Sequence, residues 1–126
     1  MHLSAAAVEI LHVSEAPQLQ VSAAAETDNP GLGVLTFAGT MCTMTVPGAA
    51  DAIAGWLARA APDRLGVDLA GVDFIDGRGV SLLVEVQQRV HALGIAWSIT
   101  DPGERAREVL DVCALLDQMG VEPVGP

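Results

Sequence analysis

The sequence contains no lysine and no tyrosine, and each absence excludes a class of chemistry. All six basic residues are arginines. A Walker phosphate-binding loop, a Schiff base and the lysine partner of a response-regulator aspartate all require lysine, so these functions are excluded. A catalytic tyrosine is excluded in the same way.

Basic charge is scarce, with six basic residues against 16 acidic ones and a net charge of −10. Binding to nucleic-acid phosphates or to an anionic membrane surface requires a basic face. The charge therefore disfavours nucleic acid as a partner and disfavours direct membrane binding. It is compatible with a basic protein partner, and equally with a simple role in solubility.

Long apolar runs and targeting signals are also missing. The first residues lack the basic segment of a secretory signal, and no apolar run is long enough to span a membrane. We therefore expect a cytoplasmic protein. A chain of 126 residues that is 51% hydrophobic and only 17% charged is expected to fold as one domain with a sizeable core.

The most informative segment is 68–83, with the sequence DLAGVDFIDGRGVSLL. Alternating apolar residues before and within it predict a buried strand. Asp76 is a favourable N-cap, so a helix is predicted from Gly77 to about Leu93. The glycines at 77 and 79 suggest that another molecule approaches the backbone closely. Such a helix N-terminus, at the end of a sheet, predicts a docking point for a partner surface or an anion.

The remaining pattern alternates strands and helices and predicts a mixed α/β sheet with right-handed crossovers. Thr45, followed by Val46 and Pro47, resembles a helix start. The other expected elements are a short helix or edge strand at 5–11, strands at 19–25, 34–37 and 95–99, a turn at 28–31, a last helix opened by Pro102, and a short final strand at 121–124.

The central segment resembles the core motif of STAS domains, the family of bacterial anti-sigma factor antagonists. In that motif a strand of the pattern DLSGVxFID is followed by Ser, Ser or Thr, Gly and an apolar residue. The resemblance extends over roughly residues 18–122. It implies one STAS-like α/β domain at 18–126, in which a mixed sheet is packed by helices. Residues 1–17 would form an N-terminal extension or an added strand.

The chain departs from the family where the family is phosphorylated, because Arg78 occupies the phosphoacceptor position and Gly77 the hydroxyl position before it. The family's G-E-L-D segment is also missing, since Gly39 is followed by Thr40, Met41 and Cys42. The resemblance implies a non-enzymatic module that binds a kinase-like anti-sigma factor or another STAS protein, with a homodimer as a further option. It does not carry over the phosphorylation switch.

The expected partner-binding residues belong to the segments after two strands: Thr40, Cys42, Asp76, Gly77, Arg78, Gly79 and Ser81. Arg78 opposes the helix dipole in the first turn, and either extends into solvent, pairs with an acidic group of a partner, or helps the amides of residues 78–80 to hold a small anion. The last option makes the protein a ligand sensor. A further alternative is an accessory STAS subunit of a transport ATPase complex.

Other chemistry has weaker support, and we expect no catalytic residue, no metal and no cofactor. The sequence Gly77-Arg78-Gly79 begins like a dinucleotide fingerprint, but Leu82 occupies the third glycine position. Three aspartates at 68, 73 and 76 resemble a magnesium site, yet the cap role of Asp76, the turn position of Asp73 and the STAS pattern at Asp68 explain them better. Histidines at 2, 12 and 91 lack the spacing of a zinc site, and serines at 14, 81 and 98 lack a nucleophile elbow.

The two cysteines are expected to remain unbridged. Cys42 follows a strand, at the same end of the sheet as Gly77, whereas Cys113 lies near the end of the last helix. The carboxyl ends of the strands and the carboxyl ends of the helices lie at opposite edges of an α/β sheet. The two thiols are therefore expected to lie farther apart than a disulfide permits. Two isolated, half-buried thiols are predicted.

Overall fold

The structure is a computed structural model that describes residues 8–26 and 31–121. Within these ranges the chain forms five strands and four helices. In chain order they are β1 (Glu9–Glu15), β2 (Gln18–Ala25), β3 (Leu32–Met41), α1 (Ala49–Ala60), β4 (Arg64–Ile75), α2 (Gly77–Ala92), β5 (Ala96–Asp101), α3 (Gly103–Val112) and α4 (Leu116–Met119).

The five strands form one mixed sheet in the order β1-β2-β3-β4-β5. The first three strands pair antiparallel, whereas β3 with β4 and β4 with β5 pair parallel. Helices α1 and α2 connect the parallel strands, as parallel pairing requires a crossover. The predicted α/β class and mixed sheet are confirmed.

One face of the sheet forms the core, because apolar residues alternate along its central strands. Leu35 and Phe37 of β3 and Val67 of β4 are fully buried. Helix α1 adds a stripe at spacings of three and four residues, and α2 does the same over its whole length. The buried residues of these two helices are Ala49, Ile53, Trp56, Leu57, Gly79, Val80, Leu82, Leu83, Val86, Gln87 and Val90.

The predicted start of the first helix is wrong. Helix α1 begins at Ala49, after Gly48 in a left-handed conformation with φ of 88°. Thr45 is not its N-cap, because the Thr45 hydroxyl is bonded to the backbone of the preceding turn, at Thr40 and Cys42. Residues 42–48 therefore form a loop between β3 and α1. We call it the docking loop because it adjoins the docking point that the sequence predicts at the start of α2.

Differences elsewhere concern ends and short elements. Strand β1 resolves the choice between helix and edge strand in favour of a strand from Glu9 onward, while residues 1–7 lie outside the described residues. The short helix α4 had no sequence prediction. Residues 28–30 of the predicted turn and 122–124 of the predicted last strand also lie outside the described residues.

Candidate partner-binding surface

Asp76 joins the start of α2 to the docking loop. Its Oδ1 accepts hydrogen bonds from the amides of Arg78 at 2.9 Å and Gly79 at 3.1 Å. Its Oδ2 accepts a hydrogen bond from the amide of Thr43 at 3.3 Å. The Asp76 amide in turn donates to the carbonyl of Met41 at 3.0 Å. The predicted N-cap is confirmed, and the same carboxylate also fixes the loop.

The amides assigned to a bound anion are already bonded. Arg78 and Gly79 donate to the Asp76 carboxylate, and the Val80 amide donates to the Asp76 carbonyl at 3.0 Å. A carboxylate therefore occupies the place where an anion would have to sit. The expectation that the amides of residues 78–80 are free to hold a ligand is wrong, because capping and the first helical bond use all three.

The two glycines of the motif have different roles. A Cβ at Gly79 would lie 2.7 Å from Ile75 Cγ1 and 2.7 Å from the Met41 carbonyl oxygen. Because Gly79 has no side chain, α2 can begin close to β3. Gly79 is buried, so another molecule cannot reach it. A Cβ at Gly77 would meet nothing within 4 Å. The expected close approach is therefore wrong for Gly79, whereas the backbone at Gly77 is exposed and has open space around it.

Arg78 and Ser81 lie along an open groove between the docking loop and α2. The groove has a volume of about 410 Å³. Both side chains are exposed, and in the described part of the chain Arg78 makes no ion pair. The groove walls carry both apolar and polar residues: Thr43, Val46, Pro47, Gly48, Ala50, Arg78, Ser81, Leu82 and Glu85.

Thr40 and Cys42 flank the end of β3. The Thr40 hydroxyl donates to Asp73 Oδ1 of the neighbouring strand at 3.1 Å. Cys42 is half-buried, and its amide donates to the Thr45 hydroxyl at 2.8 Å. Thr40 thus lies just before the docking loop and Cys42 is its first residue, and each is engaged in an intramolecular hydrogen bond.

Two exposed apolar side chains near this surface were missed in the sequence. Met44, in the docking loop, is 70% exposed, and Phe74, near the end of β4, is 50% exposed. Sequence patterns placed Phe74 in the approach to the turn, and they included Met44 only as part of an expected docking face at 39–45 and 76–83, without singling it out. An apolar residue between two threonines in a non-periodic segment was the available signal for Met44.

Each of the three aspartates of the central segment makes its own hydrogen bonds, and the two cysteines are not bridged. Asp68 Oδ1 accepts from the amide of Ala70 at 2.9 Å, whereas Asp73 and Asp76 serve the bonds described above. Within residues 8–26 and 31–121 there is no group of three or more His, Cys, Asp and Glu side chains that could hold a metal ion. Both thiols are free, and Cys113 is exposed rather than half-buried as predicted.

The fold and this surface define an α/β domain in which a capped helix N-terminus lies at the end of a mixed sheet. A family model described as the STAS domain matches residues 23–124, most of the chain. The chain therefore belongs to the STAS family. No curated protein matches the sequence.

Solved structures support the same fold. An anti-sigma factor antagonist from Mycobacterium paratuberculosis is 19% identical with a TM-score of 0.65, over 94% of this chain and 87% of that one. The anti-sigma factor antagonist SpoIIAA, in its unphosphorylated form, is 18% identical with a TM-score of 0.60, over 77% and 81%. SLC26A9 is 15% identical with a TM-score of 0.60, over 77% of this chain and 18% of that one.

These structural similarities show the fold alone. Among the described residues, no helix is both long and apolar enough to cross a membrane.

Proposed function

We propose that the protein is a cytoplasmic binding module that acts as an anti-sigma factor antagonist. It docks on a kinase-like anti-sigma factor, and this competition frees the sigma factor. The module works by binding and performs no catalysis. Membership of the STAS family and the similarity to two anti-sigma factor antagonists over most of their length support this proposal.

One observation carries the proposal. The Asp76 carboxylate joins the docking loop to the first turn of α2, so the two segments present one exposed surface. That surface combines an apolar contact, Met44, with a cation free of ion pairs in the described chain, Arg78. Apolar residues and arginine are enriched at the centres of protein interfaces, whereas an exposed methionine contributes little to a monomer.

Arg78 also determines the regulation that we propose. A guanidinium cannot accept a phosphoryl group as a hydroxyl does, and the residue before it is glycine. Binding through this surface is therefore not reversed by phosphorylation at the usual position. The protein is active whenever it is present, and its abundance sets the amount of free sigma factor. The same surface would serve a second STAS protein or a second copy of this chain as partner.

The experiment is a titration of the protein against purified complexes of kinase-like anti-sigma factors and their sigma factors from the host. We expect release of one sigma factor with a 1:1 binding isotherm, and no loss of activity after incubation with ATP. Unbiased capture from a host lysate runs in parallel. Failure to bind any such anti-sigma factor, together with capture of permease or ATPase subunits, would contradict the proposal.

A further inference from the structure

The edge strand β1 makes one polar contact with the docking loop. His12 Nε2 lies 2.7 Å from the main-chain carbonyl oxygen of Thr45. Because a carbonyl oxygen can only accept, the imidazole donates this hydrogen bond from Nε2. The two residues are 33 positions apart in the sequence, so the contact joins the added N-terminal strand to the proposed interface.

The Thr45 carbonyl belongs to the most buried residue of the loop. Thr45 is 1% exposed. Its hydroxyl accepts a hydrogen bond from the Cys42 amide and donates one to the Thr40 carbonyl at 2.7 Å. The imidazole is the donor that the structure gives to the Thr45 carbonyl. Buried carbonyl groups are almost always paired. Loss of the His12 donor would therefore leave the Thr45 carbonyl without this partner and remove the contact of this end of the loop with β1.

The strand that carries His12 is itself fixed on both sides. Its backbone pairs antiparallel with β2. On the helix side, Glu9 accepts two hydrogen bonds from the Arg59 guanidinium of α1, at 2.7 and 3.1 Å. Strand β1 thus has a defined position relative to α1. The hydrogen bond from His12 then holds the docking loop, which precedes α1, close to β1.

We propose that His12 is a positioning residue for the docking loop. Strand β1 then contributes to partner binding in addition to forming the edge of the sheet. This inference rests on the proposed function. The loop has three attachments: the Thr45 hydroxyl, the Asp76 carboxylate and the His12 imidazole. A loop held in its binding conformation loses less entropy when the partner docks, so the third attachment increases affinity without touching the partner.

The test compares His12→Gln with His12→Phe. A glutamine amide nitrogen occupies nearly the place of Nε2 and can donate the same hydrogen bond, whereas phenylalanine keeps the ring volume and loses the donor. We measure amide hydrogen exchange in the free protein by NMR, at Cys42, Thr43, Thr45 and Val46. His12→Phe should accelerate exchange at these amides about five- to tenfold, since one hydrogen bond is lost. His12→Gln should exchange like the wild type, as should Val67 of the core in both variants.

A second measurement separates this inference from the proposed function. The affinity for an anti-sigma factor that the wild type binds should fall about fivefold in His12→Phe and stay unchanged in His12→Gln. If the wild type binds no anti-sigma factor, the proposed function fails, and the exchange data still decide whether His12 holds the loop. Unchanged exchange in His12→Phe, or equal acceleration in both variants, would overturn the inference. Accelerated exchange with unchanged affinity would overturn the role in docking.

If His12→Phe does not fold, His12→Asn replaces it, because the asparagine side chain is too short to reach the Thr45 carbonyl.

Discussion

The carboxylate of Asp76 accepts the amide hydrogen of Thr43 from 33 residues away, at 3.3 Å, while its other oxygen caps α2. One side chain therefore sets both the beginning of the helix and the position of the docking loop. The stability of α2 and the shape of the proposed interface are coupled through this residue.

Replacement of Asp76 by alanine should affect both stability and binding. We expect the free energy of unfolding to fall by about 0.5–2 kcal/mol, the usual cost of losing an N-cap, and affinity for the partner to fall as the loop is released. Asp51→Ala is the matched control, because Asp51 lies exposed in the first turn of α1. Chemical denaturation measures the effect; equal stability of the two variants would show that the cap contributes nothing.

The glycines at 77 and 79 should respond differently to alanine. Gly79→Ala places a methyl group against Ile75 and the Met41 carbonyl, and we expect a loss of about 1–3 kcal/mol from overpacking. Gly77→Ala has open space around it and should be neutral or stabilise by up to about 1 kcal/mol, because alanine favours helix. Thermal unfolding of the two variants gives the comparison. A fully stable Gly79→Ala would mean that α2 does not begin so close to β3.

Incubation with a kinase-like anti-sigma factor and ATP should leave residues 76–80 unlabelled. This stretch contains no hydroxyl group, whereas Ser81 is exposed in the adjoining groove. Phosphopeptide mapping by mass spectrometry checks the result, with the Arg78→Ser variant as a positive control for recognition by the kinase. Strong labelling of wild-type Ser81 would show that the acceptor has shifted along the helix, and it would contradict a protein that is always active.

The pair formed by Glu9 and Arg59 should make the anchoring of β1 sensitive to acid. The hydrogen bonds from Arg59 hold the pKa of the Glu9 carboxyl below its ordinary value. A lowered pKa in the folded state means that ionised Glu9 favours folding above the unfolded pKa, and that this contribution is lost as the pH falls through the folded pKa. Both side chains are largely exposed, so the effect is small and screened by salt.

NMR titration of Glu9 in wild type and Arg59→Gln tests this prediction. The pKa should rise in the variant, and the difference should shrink at high salt. Arg105→Gln is the control, since it changes the same charge on α3. An identical Glu9 pKa in wild type and Arg59→Gln would mean that the pair does not persist in solution.

Local patterns identified the centre of the fold, and contacts between distant segments explain what they missed. Alternation in β4 and the cap at Asp76 were sufficient to predict the strand, the helix and the turn between them. The helix start predicted at Thr45 was wrong because a threonine shortly before a proline resembles an N-cap. In the structure the Thr45 hydroxyl instead donates to the Thr40 carbonyl. The tight packing around Gly79 and the contact from His12 depend on the approach of segments that no short pattern encodes.

The most direct test of the central claim is the affinity of Arg78→Glu for a kinase-like anti-sigma factor, compared with Arg105→Glu. Both arginines are exposed in the first turn of a helix, so charge reversal has a similar effect on the helix dipole in each. With both variants shown to be folded, isothermal titration should give at least about tenfold weaker binding for Arg78→Glu and wild-type affinity for Arg105→Glu, as expected when a charged interface contact becomes repulsive. Full affinity in a folded Arg78→Glu protein would place the interface elsewhere and contradict the account.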